Sequence, residues 1–357
     1  MKFTLASIVA LAVTASATVV DLNKRDTPLE VKLAKTGNSK VKATVTNTGS
    51  ISYKLLYKGT LLDNAPVDKL YVSSKQSKTP LDGGVKLRLA TANLSEDAFL
   101  PIAAGQTMEF DIDLAELYDV SQTGTYNVLA SGAIPFAKTS STDLSGKLSY
   151  SSNVLSIDVD GVEASKVSKL VTSKSVSKRS KYQGDCSSDR QSAIFTALDN
   201  CASLANSASS AALSGDASRF ETFFKDTSSS VRNTVSARLS AVAGDCSSNS
   251  GGATSTYCTD IYSNCGGNVL AYTYPPTNEI VYCDIFFDDL PGLTNQCYAQ
   301  DQATTVLHEE THAPAVYSPG TEDNGYGYDA ATSLSSSQAV GNADSYALFA
   351  NSVYNNC

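Results

Sequence analysis

The chain's only two histidines stand four residues apart, in His308-Glu309-Glu310-Thr311-His312. On a helix, residues at that spacing lie one above the other on a single face, so both imidazoles can reach one ion. The glutamate after the first histidine projects beside such an ion, where it can take a proton from a coordinated water. A lone histidine is usually an ordinary core or surface residue. Here a chain of 357 residues spends both of its histidines at metal spacing around a glutamate. The expected helix runs over about 299–313 and is stopped by Pro314. The pattern implies one catalytic Zn2+ per chain, held by His308 and His312, with Glu309 as general base. No histidine remains for a third ligand, which must be a carboxylate or a cysteine.

The N-terminus bears on where such a protein works. Lys2, an apolar run from Leu5 to Val13 and the small residues Ala15-Ser16-Ala17 read as a signal peptide, 1–17, too short to span a bilayer. No later run reaches transmembrane length, so a soluble, secreted, extracellular product without a membrane partner is expected. All eight cysteines (Cys186, Cys201, Cys246, Cys258, Cys265, Cys283, Cys297 and Cys357) lie in the second half, none in C-x-x-C spacing. Four disulfides are the expected use; eight cysteines allow 105 pairings, and sequence does not choose among them.

Charge divides at the same place. From Ser180 onward there are 6 Lys and Arg against 19 Asp and Glu, a net of −13, whereas the whole chain carries −9, leaving +4 before Ser180. Such a surface keeps an enzyme soluble and can draw in cationic substrates. It disfavours nucleic acid, whose phosphates need clustered basic residues.

From about Leu29 to Asp160, short runs alternate apolar and polar residues between turn signals, as in Val41-Lys42-Ala43-Thr44-Val45, Val85-Lys86-Leu87-Arg88-Leu89 and Phe110-Asp111-Ile112-Asp113-Leu114. This predicts an all-β, sandwich-like N-terminal part, with an N-glycosylation sequon at Asn93. Dibasic Lys24-Arg25 precedes it, and a Ser/Lys/Val-rich linker from about 161 contains Lys178-Arg179, a pair suited to a processing protease. The expected division is a signal peptide 1–17, a removable β-rich segment 18–179 and a catalytic domain 180–357. The last part begins with helical stripes over 189–213, at Phe220, Phe223 and Phe224, and at Val231, Val235, Leu239 and Val242. Strands follow at 269–273 and 279–287, the second either an edge for an extended substrate or buried core, then the motif helix, a loop and a last helix at about 335–354.

Two carboxylates compete to be the third ligand. Asp323 lies in the glycine-bearing loop Gly320-Thr321-Glu322-Asp323-Asn324-Gly325-Tyr326-Gly327, where a turn can return a side chain to the helix. Asp344, on the last helix, is flanked by small residues and can face inward. Glu310 points off the histidine face, and Glu322 and Asp329 read as solvated.

H-E-x-x-H followed by G-T-x-D-x-x-Y-G resembles the aspzincin pattern of the deuterolysins, secreted fungal neutral zinc metalloendopeptidases. The likeness is clearest from Ala299 to Asn351. It implies His308, His312 and Asp323 as zinc ligands, Glu309 as base, Tyr326 as an oxyanion donor and Asp344 as a residue orienting a ligand. It further implies a mainly helical, zincin-like α+β catalytic domain preceded by a propeptide. The family's bridges are implied for 186–258, 265–283 and 297–357, with Cys201 and Cys246 departing from the pattern as an extra pair. Expected partners are protein or peptide substrates, basic ones favoured, and the chain's own propeptide; the enzyme is expected to be monomeric. Two rivals stand beside this reading: a zinc hydrolase of non-peptide substrates, and a silent secreted binding protein. An intact Glu309 argues against the second, since a structural zinc site needs no general base and has four protein ligands.

Overall fold

The computed structural model describes residues 27–77, 80–171, 182–248 and 251–357. The expected signal segment, Lys24-Arg25 and the pair Lys178-Arg179 lie outside the described residues. Among those described, no helix is long and apolar enough to cross a membrane.

The alternating runs become strands: β1 Leu29–Lys35, β2 Lys40–Asn47, β3 Tyr53–Leu56, β4 Tyr71–Ser74, β5 Lys86–Leu89, β6 Phe99–Ile102, β7 Thr107–Asp113, β8 Gly124–Leu129, β9 Ser131–Ala137, β10 Leu144–Ser151 and β11 Leu155–Val159. In β1 the period of two puts Leu29, Val31 and Leu33 inside and Glu30 and Lys32 outside. Ten of these strands form three sheets, ordered β1-β2-β7, β10-β9-β3-β6 and β11-β8-β4. Their inward residues, among them Val41, Val45, Leu55, Val72, Val128 and Ile157, share one core. Single turns α1 Leu114–Leu117 and α2 Gly161–Ala164 start on the capping aspartates Asp113 and Asp160.

Helices predominate later. α3 Ser188–Ser214, α4 Ala217–Phe224 and α5 Ser229–Cys246 begin at Ser187, Asp216 and Ser228, each side chain accepting a backbone N–H of the first turn. Then come β12 Ser255–Tyr257, β13 Val269–Tyr274, β14 Glu279–Tyr282, α6 Asp284–Asp288, α7 Gln302–His312, α8 Gly327–Ala331, α9 Ser336–Val340 and α10 Ala343–Asn355. α7 packs among α3, α5, α10 and β13. An aromatic group, Phe220, Phe223, Phe224 and Phe349, closes the helical layer with centroids 4.9–6.0 Å apart. Each such ring, taken from water, stabilises the fold by about 1.5–3 kcal/mol. Bridges join Cys186–Cys258, Cys201–Cys246, Cys265–Cys283 and Cys297–Cys357, the same pairs the resemblance implies.

Three elements differ from the sequence reading. The strand expected over 279–287 ends at Tyr282, and a helical turn begins after Cys283. The last helix breaks at Gly341-Asn342 into α9 and α10. Asn342 leaves helical geometry because its amide exchanges two hydrogen bonds with the Gly325 backbone, at 3.1 and 3.3 Å. Most consequential is β5, which leaves the N-terminal sheets and pairs antiparallel with β13, giving the order β12-β14-β13-β5. β14 lies between β12 and β13, so the segment expected as a substrate edge is an interior strand, and the edges of this sheet are β12 and β5. Alternation alone cannot reveal this, since a strand's own residues do not say which sheet it completes.

Candidate active site

α7 is unusual because every residue from Gln302 to His312 is buried although most are polar. Buried polar groups require partners, and here those partners arrange the site. Asp301 caps the helix, accepting from the Thr304 backbone at 2.6 Å and its hydroxyl at 2.7 Å. Glu310 turns away from the histidines, as its position on the helix demands, and accepts from Thr254 at 3.1 Å.

His308 and His312 stack one turn apart with their Nε2 atoms 3.1 Å from each other. His312 Nδ1 lies 3.0 Å from the Thr321 carbonyl, which can only accept, so the proton sits on Nδ1. His308 Nδ1 likewise donates to Asp344 Oδ1 at 2.8 Å. Burial, with the Arg88 cation nearby, pushes His308 down to about 3, so this ring is neutral at physiological pH. Both Nε2 lone pairs then face inward.

The loop after α7 carries Asp323 back to them. The Ser318–Pro319 bond is cis, and Gly320 crosses so close to the helix end that a Cβ would lie 2.2 Å from the His312 carbonyl oxygen. Arg238 braces this loop by donating to the Pro319 carbonyl at 2.9 Å and stacking on Tyr317 at 4.6 Å. Asp323 Oδ1 arrives 3.3 Å from His308 Nε2 and 3.4 Å from His312 Nε2. It is buried and has no hydrogen-bond partner. Two ring lone pairs and a carboxylate oxygen converging without a shared proton repel one another, and a cation among them removes the conflict. His308, His312 and Asp323 form the candidate metal cluster among the described residues, and nitrogen–nitrogen–carboxylate donors suit Zn2+.

Glu309 lies beside the cluster on β13's side. Its Oε2 accepts from Thr273 at 2.5 Å, while Oε1 is buried without a partner. Burial pushes its carboxyl well above the usual carboxylate range; the Thr273 hydrogen bond works against that shift and the nearby Asp323 charge adds to it. Tyr326 is buried, and its hydroxyl donates to the Gly59 carbonyl at 3.4 Å. Burial and then the neighbouring Asp323 charge raise this phenol far above its ordinary range, so it remains a donor. Asp344 spans two elements, with Oδ1 on His308 and Oδ2 accepting from the Gly327 N–H at 2.6 Å.

Four contributors escape a sequence reading. Thr273 is one threonine in a strand of buried residues. Arg238 looks like an ordinary helical arginine. Arg88 sits in a run indistinguishable from other alternating strands, yet its guanidinium pairs with Asp344. Glu322, expected to be solvated, instead binds the buried Lys86 at 2.9 Å. The partners come from distant segments, and no spacing rule connects them.

The sequence model of the deuterolysin metalloprotease (M35) family matches residues 1–357. A neutral protease 2 homolog of Phaeosphaeria nodorum is 51% identical over 354 residues, covering 98% of each chain. Neutral protease 2 of Aspergillus oryzae is 45% identical over 329 residues, covering 92% of each. A solved zinc peptidase from Grifola frondosa is 28% identical, covers 47% of this chain and 97% of its own, and superposes with a TM-score of 0.39. Matched from end to end by that family's sequence and sharing about half its residues with a relative of nearly equal extent, this chain belongs to the deuterolysin metalloprotease (M35) family.

Proposed function

We propose that this metalloendopeptidase binds one Zn2+ through His308 Nε2, His312 Nε2 and Asp323 Oδ1 and hydrolyses peptide bonds in protein substrates with Glu309 as the proton carrier. The observation that carries the reading is the convergence of three unshared lone pairs beside a buried carboxylate with one free oxygen. A bound zinc ion polarises the scissile carbonyl and brings the pKa of its water to about 7.

This chain's residues supply the rest. Thr273 fixes Oε2 of Glu309, which leaves Oε1 to accept a proton from the attacking water and return it to the leaving amine. Burial has already raised the proton affinity of that carboxyl. Tyr326, kept protonated, donates to the oxyanion as charge develops on the carbonyl oxygen. Asp344 holds the His308 ring in the tautomer that directs Nε2 inward.

The same reading makes the chain a secreted preproenzyme: 1–17 as signal, 18–179 as a propeptide released at Lys178-Arg179, and 180–357 as a monomeric zincin-like catalytic domain. The eight cysteines, all bridged and all after Ser180, support an oxidising destination. The −13 of the catalytic part against the +4 before it supports both a basic substrate preference and docking of the propeptide.

Glu309→Gln tests the mechanism. Zinc content measured by atomic absorption should stay near one per chain, while the peptide-cleavage rate falls about 10²–10⁴-fold, the range for loss of a general base. Undiminished cleavage would remove Glu309 from the chemistry.

A further inference from the structure

Arg238, in α5, is 3% exposed and is the one buried cation among the described residues after Ser180. Burying a guanidinium costs a great deal unless its charge is compensated. Its partners among the described residues are two carbonyl oxygens and two tyrosine rings. Nη1 donates to the Pro319 carbonyl at 2.9 Å and the Thr311 carbonyl at 3.4 Å. The guanidinium lies 4.6 Å from the ring centre of Tyr317 and 5.4 Å from that of Tyr346. Its Nε is buried without a hydrogen-bond partner, so part of its donor capacity is forfeited. Packing against two rings would be served as well by an apolar side chain. The carbonyls account for the charge: Thr311 stands in the last turn of α7, the negative end of that helix, and Pro319 opens the loop that returns to it.

These two carbonyls flank the crossing that assembles the metal cluster. The Thr311 carbonyl also accepts from the Thr321 N–H at 3.0 Å, and the two threonine hydroxyls meet at 2.8 Å. The Thr321 carbonyl in turn fixes His312 Nδ1 at 3.0 Å, and Asp323 follows two residues later. The orientation of His312 and the reach of Asp323 therefore depend on one backbone register, residue 311 against residue 321. Arg238 holds that register from α5, gripping one carbonyl on each side of it. Lys86 donates to the Thr321 carbonyl as well, at 2.8 Å, but from the region before Ser180. Arg238 is the brace that the ligand-bearing region supplies for itself.

We propose that Arg238 is a positioning residue of the zinc site: its cation staples the end of the motif helix to the returning loop, so that His312 Nε2 and Asp323 Oδ1 are held 3.4 Å apart, where one ion meets both. This rests on the zinc-peptidase reading and adds to it a residue that touches neither metal nor substrate.

The test compares full-length wild type, Arg238→Met and Arg238→Lys with Arg232→Met. Arg232 is the matched control: it lies on the same helix and has the same kinds of partner, donating to the Ala212 carbonyl at 2.7 Å and stacking on Phe220 at 4.5 Å, but it braces α3 and α4 instead of the crossing. The readouts are zinc affinity by competition with a chelator, the visible absorption of the Co2+-substituted protein, which follows the metal's coordination geometry, and the urea midpoint. Arg238→Met should weaken zinc binding about 10–100-fold, the usual cost of losing a group that orients ligands, and should change the Co2+ spectrum. Arg238→Lys, which keeps the charge and one donor, should recover part of the affinity. Arg232→Met should lower the urea midpoint with affinity and spectrum unchanged. A folded Arg238→Met with wild-type affinity and spectrum would overturn the proposal, as would an equal loss of zinc in Arg232→Met. Should Arg238→Met not fold, wild-type affinity and spectrum in Arg238→Lys would overturn it. A wild type that takes up neither zinc nor Co2+ would overturn the zinc reading itself, and this proposal with it.

Discussion

At the scale of single residues, the two aspartates show how position divides labour between identical groups. Asp323 offers an unpaired Oδ1 to both Nε2 atoms, whereas both oxygens of Asp344 are committed, to His308 Nδ1 and the Gly327 N–H. Asp323→Asn should therefore lose zinc in a metal-content assay. Asp344→Asn should retain zinc with affinity weakened about 10–100-fold, the usual cost of losing a group that orients a ligand; the reverse outcome would exchange their roles. Thr273 permits a finer test. Its hydrogen bond to the Glu309 carboxylate belongs to the charge-assisted class, worth about 1.5–3 kcal/mol. Thr273→Val should lower kcat about tenfold or more with zinc content unchanged.

At the scale of elements, a wholly buried polar helix is stable only because each neighbour supplies a specific partner: Asp301 at its start, Thr254 on one flank, Thr273 on another and Thr321 at its end. The returning loop depends on a close backbone crossing at Gly320. Gly320→Ala should cost about 1–3 kcal/mol, the range for overpacking, read as a lower urea midpoint, because its Cβ would meet the His312 carbonyl. Gly124→Ala, in β8 with nothing within 4 Å of the added Cβ, is the matched control and should shift the midpoint little. The break between α9 and α10 has a related purpose. It puts Asp344 in the first turn of α10 and frees Asn342 to zip the 322–327 loop against that turn.

At the scale of the whole molecule, long-range ties decide how these elements meet. Cys297–Cys357 fastens the last residue to the segment before α7 across 60 positions. Replacing both cysteines by serine should lower stability by about 4 kcal/mol on chain-entropy grounds, seen as a lower Tm, with zinc content unchanged in the folded fraction. The two regions, opposite in net charge, meet through specific contacts, Lys86 with Glu322 and Arg88 with Asp344.

The residues alone determined the helix that carries both histidines, the glutamate beside them, the strands-then-helices order and the three helical stripes from 189 to 242. Each is a local pattern, with a period of 3.6 or 2 or a spacing of four, and local patterns survive without knowledge of neighbours. Asp323 and Asp344 were both legible as candidates, and only the family resemblance ranked them. Which nitrogen of a ring each meets is visible only in the tertiary structure, Asp323 Oδ1 near both Nε2 atoms and Asp344 Oδ1 at His308 Nδ1. The same holds for Thr273, Arg238 and above all Arg88: partners separated by 36, 81 and 256 residues meet through packing, and the destination of a strand is set by the edge it completes.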